Sequence, residues 1–154
     1  MIHNKIPRLF FNCLFFLLPI IIIGQEKALW HGNVRTMHYV PDGDSFLLKN
    51  GTRKFNRALY GTHTAFRVEA GDLPEFALYM PGMGGNFKLG LSNGNENKWI
   101  TEAAKIETRY ISGTMRYKIE DPILEKGDLN IELVALKEKE GFVLKVSGNN
   151  LPKN

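Results

Sequence analysis

Apolar and polar residues alternate through much of the chain after residue 105, with the period of two that half-buried β-strands show. The alternation runs over residues 106–110 and 115–119, on either side of Ser112-Gly113. It recurs over residues 129–135 and 142–146, on either side of a charged turn. Each pair of runs predicts an antiparallel hairpin with one face in the core and the other in water.

Shorter strand-like runs, separated by turn residues, precede these hairpins. They predict strands at residues 34–40, 46–48, 64–69, 75–80 and 86–91. Turns are predicted at residues 41–44, at the hairpin signal Asn50-Gly51 and at residues 82–85, because Pro, Gly and Asn suit turn geometry. A capping Thr101 and two alanines favour one short helix at residues 101–107.

About seven to nine strands, with turn residues every eight to twelve positions, are typical of a β-sandwich. We therefore predict an all-β fold, an antiparallel β-sandwich built as a single domain. A chain of 154 residues has the size of one such domain.

The first 24 residues have the order of a secretory signal peptide. Lys5 and Arg8 come first, an apolar run from Leu9 to Ile23 follows, and the small residue Gly24 stands at the exit. A transmembrane helix needs roughly 20 apolar residues, and this run has fifteen positions. We predict a signal peptide at residues 1–24, followed by export to the periplasm, outer surface or medium with no membrane attachment after cleavage.

Removal of that segment changes the charge and leaves a sandwich domain at residues 25–154. Eighteen basic residues then face 16 acidic ones, so the net charge falls from +4 to about +2. A balance this small excludes the basic footprint of a nucleic-acid-binding protein. The single Cys13 leaves with the signal, and the histidines are scattered, so we expect no disulfide, metal or cofactor.

Candidate chemistry is concentrated between residues 54 and 76, where arginines, carboxylates, aromatics and a histidine are mixed. Such side chains line clefts that bind sugar hydroxyls, and exposed tryptophans stack on sugar faces. The alternative is a set of ion pairs on strand faces with buried aromatics, which is the commoner case. The candidate substrate-binding or domain-interface residues are Trp30, Arg57, Tyr60, His63, Arg67, Asp72, Glu75 and Trp99.

Asp72 and Glu75 suggest a separate hypothesis. Paired carboxylates cleave glycosidic bonds when they face each other across the sugar, roughly 5 to 9.5 Å apart. With Pro74 between them, these two are predicted to lie on a turn, where neighbouring carboxylates are common without catalysis. We therefore assign no catalytic residue, and a small glycosidase remains an alternative.

Several segments together resemble the domain-of-unknown-function family 4450. They are residues 30–32, 39–43, 55–61, 71–76 and 81–86. The resemblance implies an N-terminal β-sandwich of a large secreted bacterial protein that acts on glycans, packed against an α-helical barrel that holds the catalytic carboxylates. The partners it implies are a glycan and such a barrel domain.

The resemblance leads to one main functional expectation. The chain is expected to be an exported accessory β-sandwich associated with glycan degradation, a fragment without the catalytic barrel and without turnover of its own. The alternatives are the small glycosidase that uses Asp72 and Glu75, and a structural remnant with no independent activity.

Overall fold

The computed structural model describes residues 38–152, and within this range the chain is all-β, as predicted. The predicted signal peptide, Trp30 and residues 34–37 lie outside the described residues. The strands are β1 (Val40–Asp42), β2 (Ser45–Lys49), β3 (Arg57–Leu59), β4 (Arg67–Ala70), β5 (Glu75–Met80), β6 (Met83–Lys88), β7 (Gly90–Ser92), β8 (Asn97–Trp99), β9 (Lys105–Ile111), β10 (Thr114–Glu120), β11 (Asp128–Ala135) and β12 (Phe142–Asn149). Four of them have only three residues each, which is why the described strands outnumber the seven to nine expected.

The strands form two antiparallel sheets and a small ribbon. The six-stranded sheet has the order β1-β2-β9-β10-β11-β12, and the four-stranded sheet has the order β3-β4-β5-β6. Within the described range, strands β7 and β8 pair only with each other. Both predicted C-terminal hairpins are present, with strands that extend one to three residues beyond the predicted limits.

The two sheets pack face to face through the residues that alternation points inward. On β10 the buried residues are Met115, Tyr117 and Ile119, while the residues between them carry ion pairs on the outer face. The rings of Tyr117 and Phe76 lie 5.8 Å apart, and the Tyr117 hydroxyl donates a hydrogen bond to the Gly71 carbonyl at 2.9 Å. These contacts join the layers of a β-sandwich.

The predicted helix at residues 101–107 is wrong. Only Ile100–Glu102 form a single 3₁₀ turn, and β9 starts at Lys105. A strand forms here instead of a helix because Ile106 lies in the core and pairs with Ile119. Burial of that side chain outweighs the small helix preference of the preceding alanines.

Asn50-Gly51 is not a hairpin turn, although the pair favours one. Asn50 bonds to the backbone of Ile106 in both directions, and the chain then crosses to the other sheet. Only glycine fits at position 51, since a Cβ there would lie 2.5 Å from the Cβ of Asp72. The dipeptide therefore lies where the chain passes from one sheet to the other, close to Asp72.

Other predicted boundaries shift for similar reasons. Strand β1 extends through Asp42, and the turn predicted at residues 41–44 is therefore confined to Gly43-Asp44. The turn before β6 is confined to Pro81-Gly82, and the next two glycines lie inside the strand. The predicted strand 64–69 begins only at Arg67, and the predicted strand 86–91 breaks at Leu89.

The core makes a direct prediction about stability. Ile131 is fully buried, so Ile131→Ala should lower the free energy of unfolding by about 2–5 kcal/mol through the cavity it leaves. Urea unfolding followed by fluorescence measures this. Val143→Ala is the matched control on the neighbouring strand, where the side chain is 48% exposed, and it should cost less than about 1 kcal/mol. Equal losses in the two variants would contradict the assigned core.

Candidate functional site

The solvent-facing side of the four-stranded sheet carries a continuous set of polar and aromatic side chains. On β5, Phe76 and Leu78 point toward the core, so Glu75, Ala77 and Tyr79 point outward. The Pro81-Gly82 turn fixes the hairpin register, which places Lys88 beside Glu75, Asn86 beside Ala77 and Gly84 beside Tyr79. We call this surface the outer face: residues 54, 67, 69, 75, 77, 79, 84, 86 and 88.

Glu75 lies at the centre of the polar part of the outer face. Its carboxylate accepts a hydrogen bond from Asn86 Nδ2 at 2.7 Å and is 2.7 Å from Lys54 Nζ and 3.5 Å from Lys88 Nζ. The side chain is only 4% exposed although it points away from the core, because these three residues cover it. The hydrogen bond from Lys54, followed by the one from Asn86, lowers the pKa of Glu75 against a smaller effect of burial.

One end of the outer face is aromatic. The Arg67 guanidinium lies 3.7 Å from the ring centre of Tyr79 and pairs with Glu69. Tyr79 is 42% exposed, and Tyr60 is more exposed still. Tyr60 follows β3 directly, so continuation of the β3–β4 register sets it across from Arg67. The row therefore runs from Tyr60, just after β3, through Arg67 on β4 to Tyr79 on β5.

Trp99 lies beyond the other end of the outer face. It closes the β7–β8 ribbon opposite Gly90, whose missing side chain leaves the indole uncovered, and it is 51% exposed. Lys88 Nζ lies 5.6 Å from the centre of the indole, which links Trp99 to the outer face. The backbone N–H of Trp99 donates to the Glu102 carboxylate at 3.1 Å.

An open depression of about 590 Å³ lies beside Trp99. Its walls are residues 90–92 and 97–99 of the ribbon together with Glu102. Lys98, which lines it, is 3.0 Å from the buried carboxylate of Asp121, so its charge is already compensated. The depression thus offers an aromatic plane with polar groups around it.

Asp72 belongs to a different part of the molecule, inside the sandwich. Its carboxylate accepts hydrogen bonds from Tyr39 Oη at 3.1 Å, Arg53 N at 2.9 Å and Asn56 Nδ2 at 3.0 Å, and it lies 2.7 Å from His38 Nε2. The side chain is fully buried. We call Asp72 and these four partners the Asp72 hub.

The titration behaviour of the Asp72 hub follows from these bonds. Burial by itself raises the pKa of Asp72, but the hydrogen bonds from Asn56, Arg53, His38 and Tyr39 outweigh it and hold the pKa below its usual value. Burial, and then the charge of Asp72, raise the pKa of Tyr39. The tyrosine therefore remains a protonated donor and the aspartate an ionised acceptor at neutral pH.

Arg57 lies next to the Asp72 hub, where aromatic rings take the place of a carboxylate partner. Its guanidinium is 4.4 Å from the ring centre of Tyr110 and 5.0 Å from that of Tyr39. The buried Nε atom of Arg57 has no hydrogen-bond partner among the described residues. Stacking of this kind joins β3 of one sheet to β9 of the other.

The predicted site residues fall into two groups and two outliers. Tyr60, Arg67, Glu75 and Trp99 lie on or beside the outer face, whereas Arg57 and Asp72 lie inside the sandwich. His63 lies in an exposed loop near residues 137–140, and Trp30 lies outside the described residues. Within residues 38–152 there is no cluster of three metal-ligating side chains and no helix long and apolar enough to cross a membrane.

Seven residues of the outer face are absent from the candidates predicted from the sequence: Glu69, Ala77, Gly84, Lys54, Tyr79, Asn86 and Lys88. The signal for the last three was present, since the Pro81-Gly82 turn fixes which residues of the hairpin stand beside Glu75 and Ala77. No local signal indicated Lys54, because it reaches Glu75 from a loop that precedes β3.

Comparison with known families gives one result. Residues 80–154 match DUF4450, a domain of unknown function. The resemblance to DUF4450 is therefore confirmed for this range, which contains all of β6–β12, with Lys88 and Trp99. Of the segments that carried the resemblance, only residues 81–86 lie within the DUF4450 match. No curated protein and no solved structure matches the chain.

The Asp72 hub makes a prediction about pH and stability. Asp72→Asn places an amide where donors converge, so it should lower the free energy of unfolding at pH 7 by about 1–3 kcal/mol. Because the pKa of Asp72 is lower in the folded state, its stabilising effect is present above the ordinary aspartate pKa of 3.8 and is lost as the pH falls through the lower folded pKa. Urea titrations between pH 3 and 7 measure the difference from wild type.

The matched control is Asp44→Asn in the exposed turn after β1. It should change stability by less than about 0.5 kcal/mol at every pH. A difference between wild type and Asp72→Asn that grows as the pH falls below 4 would contradict the hub.

Proposed function

We propose that this protein is an exported accessory β-sandwich that binds carbohydrate and leaves bond cleavage to a separate catalytic domain. The observation that carries the proposal is the exposed indole of Trp99 beside an open depression lined with polar groups. A tryptophan that is half exposed does not contribute the stability that full burial of its side chain would give. Its broad apolar face suits the apolar face of a sugar ring, while the surrounding polar groups suit sugar hydroxyls.

The two carboxylates of the hydrolase hypothesis support a binding role better than a catalytic one. Asp72 and Glu75 share no side-chain partner, and each already accepts several hydrogen bonds. Both pKa values are lowered, whereas a general acid in glycoside hydrolysis needs a raised one. Their bonds give both residues a structural role.

Binding to glycans tests the proposal directly. The wild-type protein should bind one or more neutral plant or microbial glycans on an array, with micromolar to millimolar affinity by calorimetry and without releasing sugar. Trp99→Ala should weaken binding about tenfold or more, because stacking on an aromatic face contributes about 0.5–1.5 kcal/mol beyond burial of its area.

Phe46→Ala is the matched control, since Phe46 is 47% exposed on the other sheet. It should leave glycan binding unchanged. The proposal is wrong if no glycan binds, or if the two variants lose affinity equally while their melting temperatures stay near that of wild type.

A second candidate is docking onto a helical-barrel catalytic domain, and strand β12 favours it. Among the strands of residues 38–152, this one forms an edge of the six-stranded sheet, and Val143 and Val146 are about half exposed on its two faces. Val134, beside Val143 on β11, adds to the apolar surface. Unpaired edges with apolar side chains are common docking sites for other chains.

Docking is tested by gel filtration with the purified barrel domain of a protein that carries both domains. A complex should form with wild type and be lost with Val143→Glu. The control Arg116→Ala, on the charged outer face of β10, should retain the complex. Absence of any complex would remove this candidate and leave the proposed glycan binding unaffected.

A further inference from the structure

We infer that the carbohydrate site extends from Trp99 along the outer face to Tyr79, and that it binds the interior of an extended, uncharged glycan chain. The inference rests on the proposed function, because it specifies the ligand of the same site. It depends on the contacts and register of β5 and β6.

The first step is the continuity of the surface. Trp99 lies beside Lys88, which stands opposite Glu75 at the start of β5. Tyr79 lies four residues further along the same face of β5, a distance of about 13 Å. Two exposed aromatic side chains therefore stand at the ends of one path, farther apart than a single sugar ring reaches.

The second step is the shape of the path between them. Its middle is made by Ala77, which stands beside the exposed Asn86, and Gly84 stands beside Tyr79. The methyl group of Ala77 and the missing side chain of Gly84 keep the sheet surface low. Between the Glu75–Lys88 pair and Tyr79, strands β5 and β6 present only Ala77 and Asn86 on this face, so an extended chain can lie along the strand.

The third step is charge. Lys54 and Lys88 both pair with Glu75, and Arg67 pairs with Glu69, which leaves one excess positive charge on the outer face. The Glu102 carboxylate, which lines the depression beside Trp99, supplies the matching negative charge at that end. A surface of compensated charges provides hydrogen-bonding groups without attracting a strongly charged polymer, so it suits a neutral glycan.

The fourth step is the rigidity of the distant end. Arg67 stacks on the ring of Tyr79 and is itself held by Glu69, so the tyrosine ring has a fixed orientation. A held ring can contact a sugar without the entropy cost of ordering a free side chain. Tyr79 thus becomes a second stacking position that only a long ligand reaches.

The experiment is a ladder of oligosaccharides measured by calorimetry. The probes are two- to eight-sugar fragments of cellulose, xylan, mannan, arabinan and galactan. Affinity should rise with length and level off near the length that spans both aromatics. Tyr79→Ala should weaken binding of six- to eight-sugar probes about threefold to tenfold and leave two- and three-sugar probes unchanged. Trp99→Ala should weaken binding at every length.

Two controls separate contact from misfolding. Tyr79→Phe keeps the ring and should retain the affinity of wild type for long probes, and thermal melts should show that Tyr79→Ala remains folded. Binding should also be unchanged between 50 and 500 mM NaCl, since the surface charges are compensated.

The possible failures are distinguishable. Affinity that depends on Trp99 but not on probe length or Tyr79 overturns this inference and leaves the proposed function intact. A preference for galacturonic acid oligomers that declines steeply with salt overturns the neutral ligand. Failure of every probe at every length overturns the proposed function and this inference together.

Discussion

The buried carboxylate of Asp72 is the interaction on which the rest of the structure depends. It joins the segment before β1, the loop before β3 and the turn after β4, which are far apart in sequence. Its own carbonyl accepts a hydrogen bond from Thr108 Oγ1 on β9 at 2.6 Å, so the link reaches the opposite sheet. A buried charge is costly unless its hydrogen bonds are complete, and here they are complete. The close crossing at Gly51 exists because the chain must pass this group.

That constraint separates the polar residues that hold the sheets together from those of the proposed binding surface. Polar residues that secure the two sheets point inward around Asp72, while those of β5 and β6 point outward around Glu75. The same stretch of sequence supplies both sets, because successive residues of a strand face opposite sides. A dense run of charged and aromatic residues is therefore a mixture of two roles, and only the direction of each side chain tells which one it has.

The sequence predicted much of the fold and less of the site. Alternation predicted the two C-terminal hairpins, since charges repeat on one side of each strand and apolar residues on the other. Helix propensity failed at residues 101–107, where the burial of Ile106 decides the conformation, and turn preference failed at Asn50, where a contact 56 residues away does. Among the predicted site residues, Trp99 and Glu75 lie at or beside one surface, but Asp72 does not. The contact between Lys54 and Glu75 depends on how the loop before β3 folds back, which no local pattern encodes.

The two-residue turn at Pro81-Gly82 has a consequence for how this protein can vary. The turn sets which residues of β5 and β6 share a side, and Gly82 occupies it with a φ of +78° that few other residues accept. Insertion of one residue early in the following strand would exchange the sides of the residues after it, so that Phe87 would turn to solvent and Asn86 would stand opposite Phe76. The outward residues of this hairpin can therefore vary, whereas its length can change only in steps of two. Substitution at those positions alters the outer face while the inward residues, such as the buried Phe76, keep the core.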